Sequence, residues 1–100
     1  LTIDQYKKEV KKLWHDGEKL RGLFVMSTGL AGETGEVLEH LKKHIRDDRL
    51  DLEELKLELG DQIFYWTRIC QEFGFDPEDV MDANVKKLRV RHAKKGCCNN

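Results

Sequence analysis

The sequence predicts an all-α protein, an antiparallel helical bundle of about four helices completed by oligomerisation. Three observations lead there. Apolar residues recur every three or four positions in four segments, no stretch alternates with the period of two that marks a strand, and helix start and stop signals divide the chain between those segments. One proline and eight glycines in 100 residues leave little room for long loops. A chain this short buries only a modest fraction of its surface, so association of subunits is expected. Its 39% apolar and 37% charged residues suit helices that each pack through one stripe.

Thr2 followed by Gln5 has the form of a capping box, and Ile3, Tyr6, Val10, Leu13 and Trp14 then follow at helical spacing, predicting a first helix to about residue 16, ended by His15-Asp16-Gly17. A second helix is predicted from the region of Leu20–Leu23 to Ile45, with Leu30, Val37, Leu38, Leu41 and Ile45 on its buried side. Gly29, Gly32 and Gly35 interrupt it, each costing about 0.5–1 kcal/mol against alanine. Such violations of propensity fall at functional or close-packed places, here the approach of a neighbouring helix or a ligand. The competing reading is a glycine-bearing loop before a shorter helix from Thr34.

Residues 46–50 read as a short polar connection, and Asp51 with Glu54 repeats the capping pattern to open a third helix. Leu52, Leu55, Leu59, Ile63, Trp66, Ile69, Cys70 and Phe73 line its apolar side, Glu58, Asp61, Gln62 and Tyr65 share another, and Gly74 ends it. Asp76-Pro77 supplies an N-cap with proline at the first helical position, predicting a fourth helix from Pro77 to about His92, with Val80, Met81, Asn84 and Leu88 at helical spacing. Residues 94–100 lack apolar periodicity and are expected to fray.

The net charge of −1 hides an asymmetry, because residues 1–85 hold 12 Lys/Arg against 19 Asp/Glu, whereas residues 86–100 hold six Lys/Arg and no acid. By default such a basic run is a solvated helix face or a weak nucleic-acid patch; the functional reading is a phosphate contact opposite an acidic site. Cys70 in an apolar run and Cys97-Cys98 in a polar tail make no disulfide framework, so a reducing, cytoplasmic setting is expected. No apolar stretch approaches membrane-spanning length and no secretory leader opens the sequence, although a start at Leu1 leaves a removed leader open.

Two acid pairs carry the chemistry. Glu33 with Glu36, and Glu58 with Asp61, are each spaced i, i+3, which brings two side chains within about 60° of one helix face and about 4.5 Å apart along the axis. Two such helices side by side would pool four carboxylates. Unit charges about 4 Å apart repel by roughly 4 kcal/mol at an effective dielectric of 20, so the cluster calls for a cation. Mg²⁺ is the natural one, a hard ion that takes oxygen ligands and completes its shell with water and substrate phosphates. Mn²⁺ stays open as a substitute. The 21 residues between Glu36 and Glu58 allow a helix end, a turn and a helix start, returning the second pair antiparallel to the first.

The run from Gly29 to Val37 (GLAGETGEV), then Glu58-Leu59-Gly60-Asp61, then Asn84 to Arg91 (NVKKLRVR) resembles the MazG family of all-α nucleoside triphosphate pyrophosphohydrolases. The likeness runs from the first helix to about Gly96, so residues 1–96 are read as one such domain and 97–100 as a polar tail. Either acid pair alone is weak, because i, i+3 acids are common on wet helix surfaces; the ordered combination with the basic segment is specific. The resemblance implies hydrolysis of a (deoxy)nucleoside triphosphate between the α- and β-phosphates, giving a monophosphate and pyrophosphate, in nucleotide-pool housecleaning. It also implies pairing of short chains into a homodimer or homotetramer.

On this reading Glu33, Glu36, Glu58 and Asp61 hold the metal. A carboxylate of that group, or Glu39 beyond Glu36, accepts the proton of the attacking water. Lys87 and Arg91, at i, i+4, face the phosphates, with Asn84 one turn earlier as a hydrogen-bond donor. Lys42 and Lys43 are further phosphate candidates, with exposed lysines near a helix C-terminus as the alternative. Trp14, Phe24, Tyr65 and Trp66 could stack on a base, although aromatics at this spacing are more often core. His40 and His44 at i, i+4 read as a solvated pair for want of a third ligand. A di-iron carboxylate protein is the weaker reading, since no histidine has a glutamate three residues before it. The alternative from another class is a non-catalytic helical regulator that binds nucleotide or nucleic acid through residues 86–95.

Overall fold

The computed structural model describes residues 1–14 and 19–95. Four helices follow in order: α1 (Ile3–Leu13), α2 (Lys19–Asp47), α3 (Leu52–Glu72) and α4 (Pro77–Lys95). No strand occurs among the described residues, and none of their helices is long and apolar enough to cross a membrane.

The starts are set by the residues that the sequence marks. Gln5 N–H donates to Thr2 Oγ1 at 3.1 Å while Thr2 N–H donates to Gln5 Oε1 at 2.8 Å, closing the capping box of α1. Asp51 Oδ1 accepts from Glu54 N–H at 3.1 Å, and Asp76 Oδ1 accepts from Glu78 N–H at the same distance. The ends differ more. α1 stops at Leu13 rather than near residue 16, because Trp14 turns to an extended backbone (ψ 121°) that carries its ring onto α3. The proposed stop at His15-Asp16-Gly17 lies outside the described residues. α2 is one continuous helix from Lys19, so the glycine-bearing loop before Thr34 is not formed. α4 runs to Lys95, so Lys94 and Lys95 are helical; Cys97-Cys98 and the rest of the tail lie outside the described residues.

α2 and α3 form the body of the molecule as a long antiparallel hairpin. Gly29 faces Tyr65, Thr34 faces Gln62 and His40 faces Glu54, so numbers rise on one helix as they fall on the other. The reversal between them uses Asp48, in the left-handed region at φ 52°, whose N–H bonds to the His44 carbonyl at 3.0 Å. Gly74, at φ 77°, takes the same region after α3, where it costs glycine nothing sterically.

α1 and the start of α4 lie against α3. Lys7 ties them, its Nζ reaching Asp4 at 2.9 Å, Asp76 at 3.1 Å and Glu78 at 2.7 Å, while Gln71 Nε2 donates to the Lys7 carbonyl at 3.0 Å. The interior is small. Val10, Met26, Thr67 and Cys70 are buried, and much predicted core is not. On α2, Leu30 and Val37 are half-buried, but Leu38, Leu41 and Ile45 are exposed, Ile45 by 84%. On α3, Leu52, Leu59, Ile63 and Phe73 are exposed beside half-buried Leu55, Trp66 and Ile69. The physical reason is supply: a single hairpin flanked by α1 and α4 has too little partner surface for stripes this wide. The radius of gyration, 16.5 Å, exceeds the ~13 Å of a compact domain this long, in keeping with an open arrangement.

Candidate functional site

The hairpin's register places the acids. Glu33 on α2 meets Glu58 and Asp61 on α3, with one oxygen from each lying within 4.8 Å of the others. Glu33 Oε2 is buried and accepts no hydrogen bond. The Glu33 carboxyl is pushed up to about 7, first by the facing Glu58 carboxylate, which a protonated Glu33 can hydrogen-bond and an ionised one cannot, then by burial, then by the charges of Asp61, Glu58 and Glu36. A group that keeps its proton to near neutrality because acids crowd it is one that a divalent cation would relieve. The all-oxygen donor set and the unpartnered buried oxygen both fit Mg²⁺.

Neighbouring contacts fix this arrangement. Gln62 Nε2 donates to Thr34 Oγ1 at 3.0 Å, and Thr34 Oγ1 donates to the Leu30 carbonyl at 2.9 Å, pinning α3 to α2 beside Glu33. One turn and a half away, a Cβ on Gly29 would lie 2.5 Å from the Tyr65 ring, so only glycine lets the helices approach there. Gly32, Gly35 and Gly60 meet nothing within 4 Å. Of the three predicted close approaches on α2, then, Gly29 serves helix packing while Gly32 and Gly35 border open space.

The other predicted residues are distributed unevenly. Glu36 is exposed and stands outside the three converging acids, although its charge still reaches Glu33. Glu39 is exposed and pairs loosely with Lys42 at 3.8 Å. Asn84, Lys87 and Arg91 are exposed on α4, and among the described residues no hydrogen bond or ion pair joins them to the acids. Trp14 is half-buried in an aromatic group, its ring 6.4 Å from Phe64 and 6.5 Å from Tyr65, with the Arg68 guanidinium 5.6 Å from its centre. Phe24 is exposed.

Two residues near the acids escape sequence reasoning. Tyr6 on α1 is half-buried, and its phenol is raised by burial and then by the charge of Asp61, which places α1 at the edge of the site. His40 is half-buried and meets half-buried Glu58 and exposed Glu54, although His44 is exposed as a solvated pair requires. Their signal lies in the pairing of α2 with α3, which spacing along one helix does not carry.

An all-α hairpin that brings carboxylates of two helices together is a candidate cradle for a divalent cation. Residues 24–95 match the model of the MazG nucleotide pyrophosphohydrolase domain, and the chain belongs to that family. It is also similar to the Gene 37 protein of Mycobacterium phage L5, 30% identical over 81 residues that cover 76% of this chain and 71% of the relative. No solved structure matches.

Proposed function

We propose that the protein is a Mg²⁺-dependent nucleoside triphosphate pyrophosphohydrolase that cleaves between the α- and β-phosphates, releasing a monophosphate and pyrophosphate. The observation that carries this is the meeting of Glu33, Glu58 and Asp61 around a buried, unpartnered oxygen, in a chain of this family. Those three, joined by Glu36 one turn on along α2, would hold the ion. When bound, Mg²⁺ polarises phosphate oxygens and offsets the charge that develops on the leaving pyrophosphate. A carboxylate of this group, Glu33 or Glu36, or else Glu39 beyond them, would accept the proton of the water that attacks the α-phosphorus. Lys42, Lys87 and Arg91 bind phosphate oxygens and Asn84 donates to a phosphate or sugar oxygen. Trp14 borders the base.

A homodimer or homotetramer suits the uncovered stripes. Leu20, Phe24, Leu38, Leu41 and Ile45 are exposed along α2, and Leu52, Leu57, Leu59 and Ile63 along α3, apolar side chains that a second copy could cover. A second copy would also bring another α4 within reach of the acids. The unpaired, buried Cys70 accords with a reducing, cytoplasmic setting.

Incubation with a panel of ribo- and deoxyribonucleoside triphosphates, with and without Mg²⁺, tests the proposal through its products. Monophosphate plus pyrophosphate supports it, and diphosphate plus orthophosphate contradicts the cleavage position. The regulator reading separates cleanly, because it requires Glu33 and Asp61 to be replaceable without loss of function.

A further inference from the structure

We propose a second metal site on the hairpin, formed by His40, Glu54 and Glu58, that takes a first-row transition ion of the Zn²⁺ or Co²⁺ kind in place of Mg²⁺. The imidazole of His40 on α2 and the carboxylates of Glu54 and Glu58, one turn apart on α3, each bring a ligand atom within 4.8 Å of the other two. A four-coordinate ion with bonds of about 2.0–2.1 Å spaces its ligand atoms by about 3.3 Å, a contraction that side-chain rotation provides. The set differs chemically from Glu33–Glu58–Asp61. An imidazole nitrogen beside two carboxylates is the donor mix of Zn²⁺ and its neighbours, whereas Mg²⁺ prefers oxygen alone.

Two further features suit the assignment. His40 and Glu54 open onto a cavity of about 810 Å³ at the α2–α3 reversal, which gives an ion a path in and leaves room for water or an anion as remaining ligands. Asp51, Glu53 and Glu54 line the same cavity against Lys43 and Arg49, so the acids outnumber the fixed positive charges there and leave an arriving cation favoured. Glu58 belongs to both acid groups, so its two oxygens can serve one ion each. The histidine passed over for want of a third ligand on its own helix finds two on the facing one.

The site stands whether or not the chain hydrolyses nucleotides, and the test keeps the two apart. Metal-free protein is titrated with Co²⁺ in millimolar Mg²⁺, following visible absorption and metal content after dialysis. One Co²⁺ per chain is expected, with the absorption of a nitrogen-ligated ion, and His40→Ala and Glu54→Gln should each weaken binding at least tenfold with helicity unchanged. Asp61→Asn, which cripples only the Mg²⁺ set, should keep its Co²⁺. Should a variant fail to fold, histidine NMR of the unaltered protein decides, since bound Co²⁺ must shift or broaden His40 more strongly than His44. Co²⁺ binding that is absent, or equal in folded wild type and His40→Ala, overturns the site, as does a spectrum in which His40 is untouched.

Discussion

The two ends of the α2–α3 hairpin are built on opposite principles. At one end Gly29 lets Tyr65 close on the backbone, and Tyr65 packs edge to face with both Trp14 and Phe64, the latter with centroids 5.5 Å apart. At the other, Glu33, Glu58, Asp61, Glu54 and His40 are drawn together although the acids repel. Dispersion and apolar burial hold the first end and set the register, and that register imposes an unfavourable proximity on the second. The acid end is therefore a place where folding free energy is held in reserve for a cation, and the aromatic end is what keeps it there.

Removing charge should separate the two ends most sharply. Glu33→Gln or Asp61→Asn is expected to lower nucleotide turnover by at least about 100-fold, yet to leave the Mg²⁺-free melting temperature equal or higher, because a repulsion has gone. Retained turnover, read by pyrophosphate release, would break the assignment. At the other end, Gly29→Ala drives a methyl into the Tyr65 ring and should destabilise by about 1–3 kcal/mol in urea unfolding, the usual cost of overpacking. Activity should fall with it as the register loosens. Gly35→Ala meets open space and is the control, expected to gain about 0.5–1 kcal/mol from helix propensity.

Proton linkage gives a subtler contrast. The Glu33 carboxyl holds its proton to about 7 in the fold against an ordinary value near 4.5. Its contribution to Mg²⁺-free stability is thus full below about 4.5 and lost as pH rises through 7. Melting temperature should decline across that window without Mg²⁺, and saturating Mg²⁺ should flatten or reverse the slope. A slope identical in Glu33→Gln would show that another group is responsible. The smallest effect is expected at Asp48→Gly, which relieves a left-handed non-glycine backbone and should stabilise by up to about 1 kcal/mol with no change in turnover.

Much of this was legible because it is local. Thr2-x-x-Gln5, Asp51 and Asp76-Pro77 act within one turn, so their caps form where the letters stand. The ordered acids and the basic fourth helix identify the family for the same reason. Burial was less legible, because whether Leu38 or Ile45 is covered depends on how much surface other elements supply. Glu36 and His40 show the same limit inside the site: residues i, i+3 or i, i+4 on one helix share a neighbourhood, but the facing helix decides which of them has company.

The length of α2 has a mechanical consequence. Its 29 residues span about 43 Å, close to the 45 Å long dimension of the whole chain. A rod that reaches from pole to pole behaves as a spine: a one-residue deletion in it between Gly29 and Glu33 would rotate everything beyond it by about 100°. Evolutionary tinkering with chain length is therefore cheapest in the reversal after Asp47 and dearest between the aromatic clamp and the acids, where losing a single codon would unseat Glu33, Glu36 and His40 together.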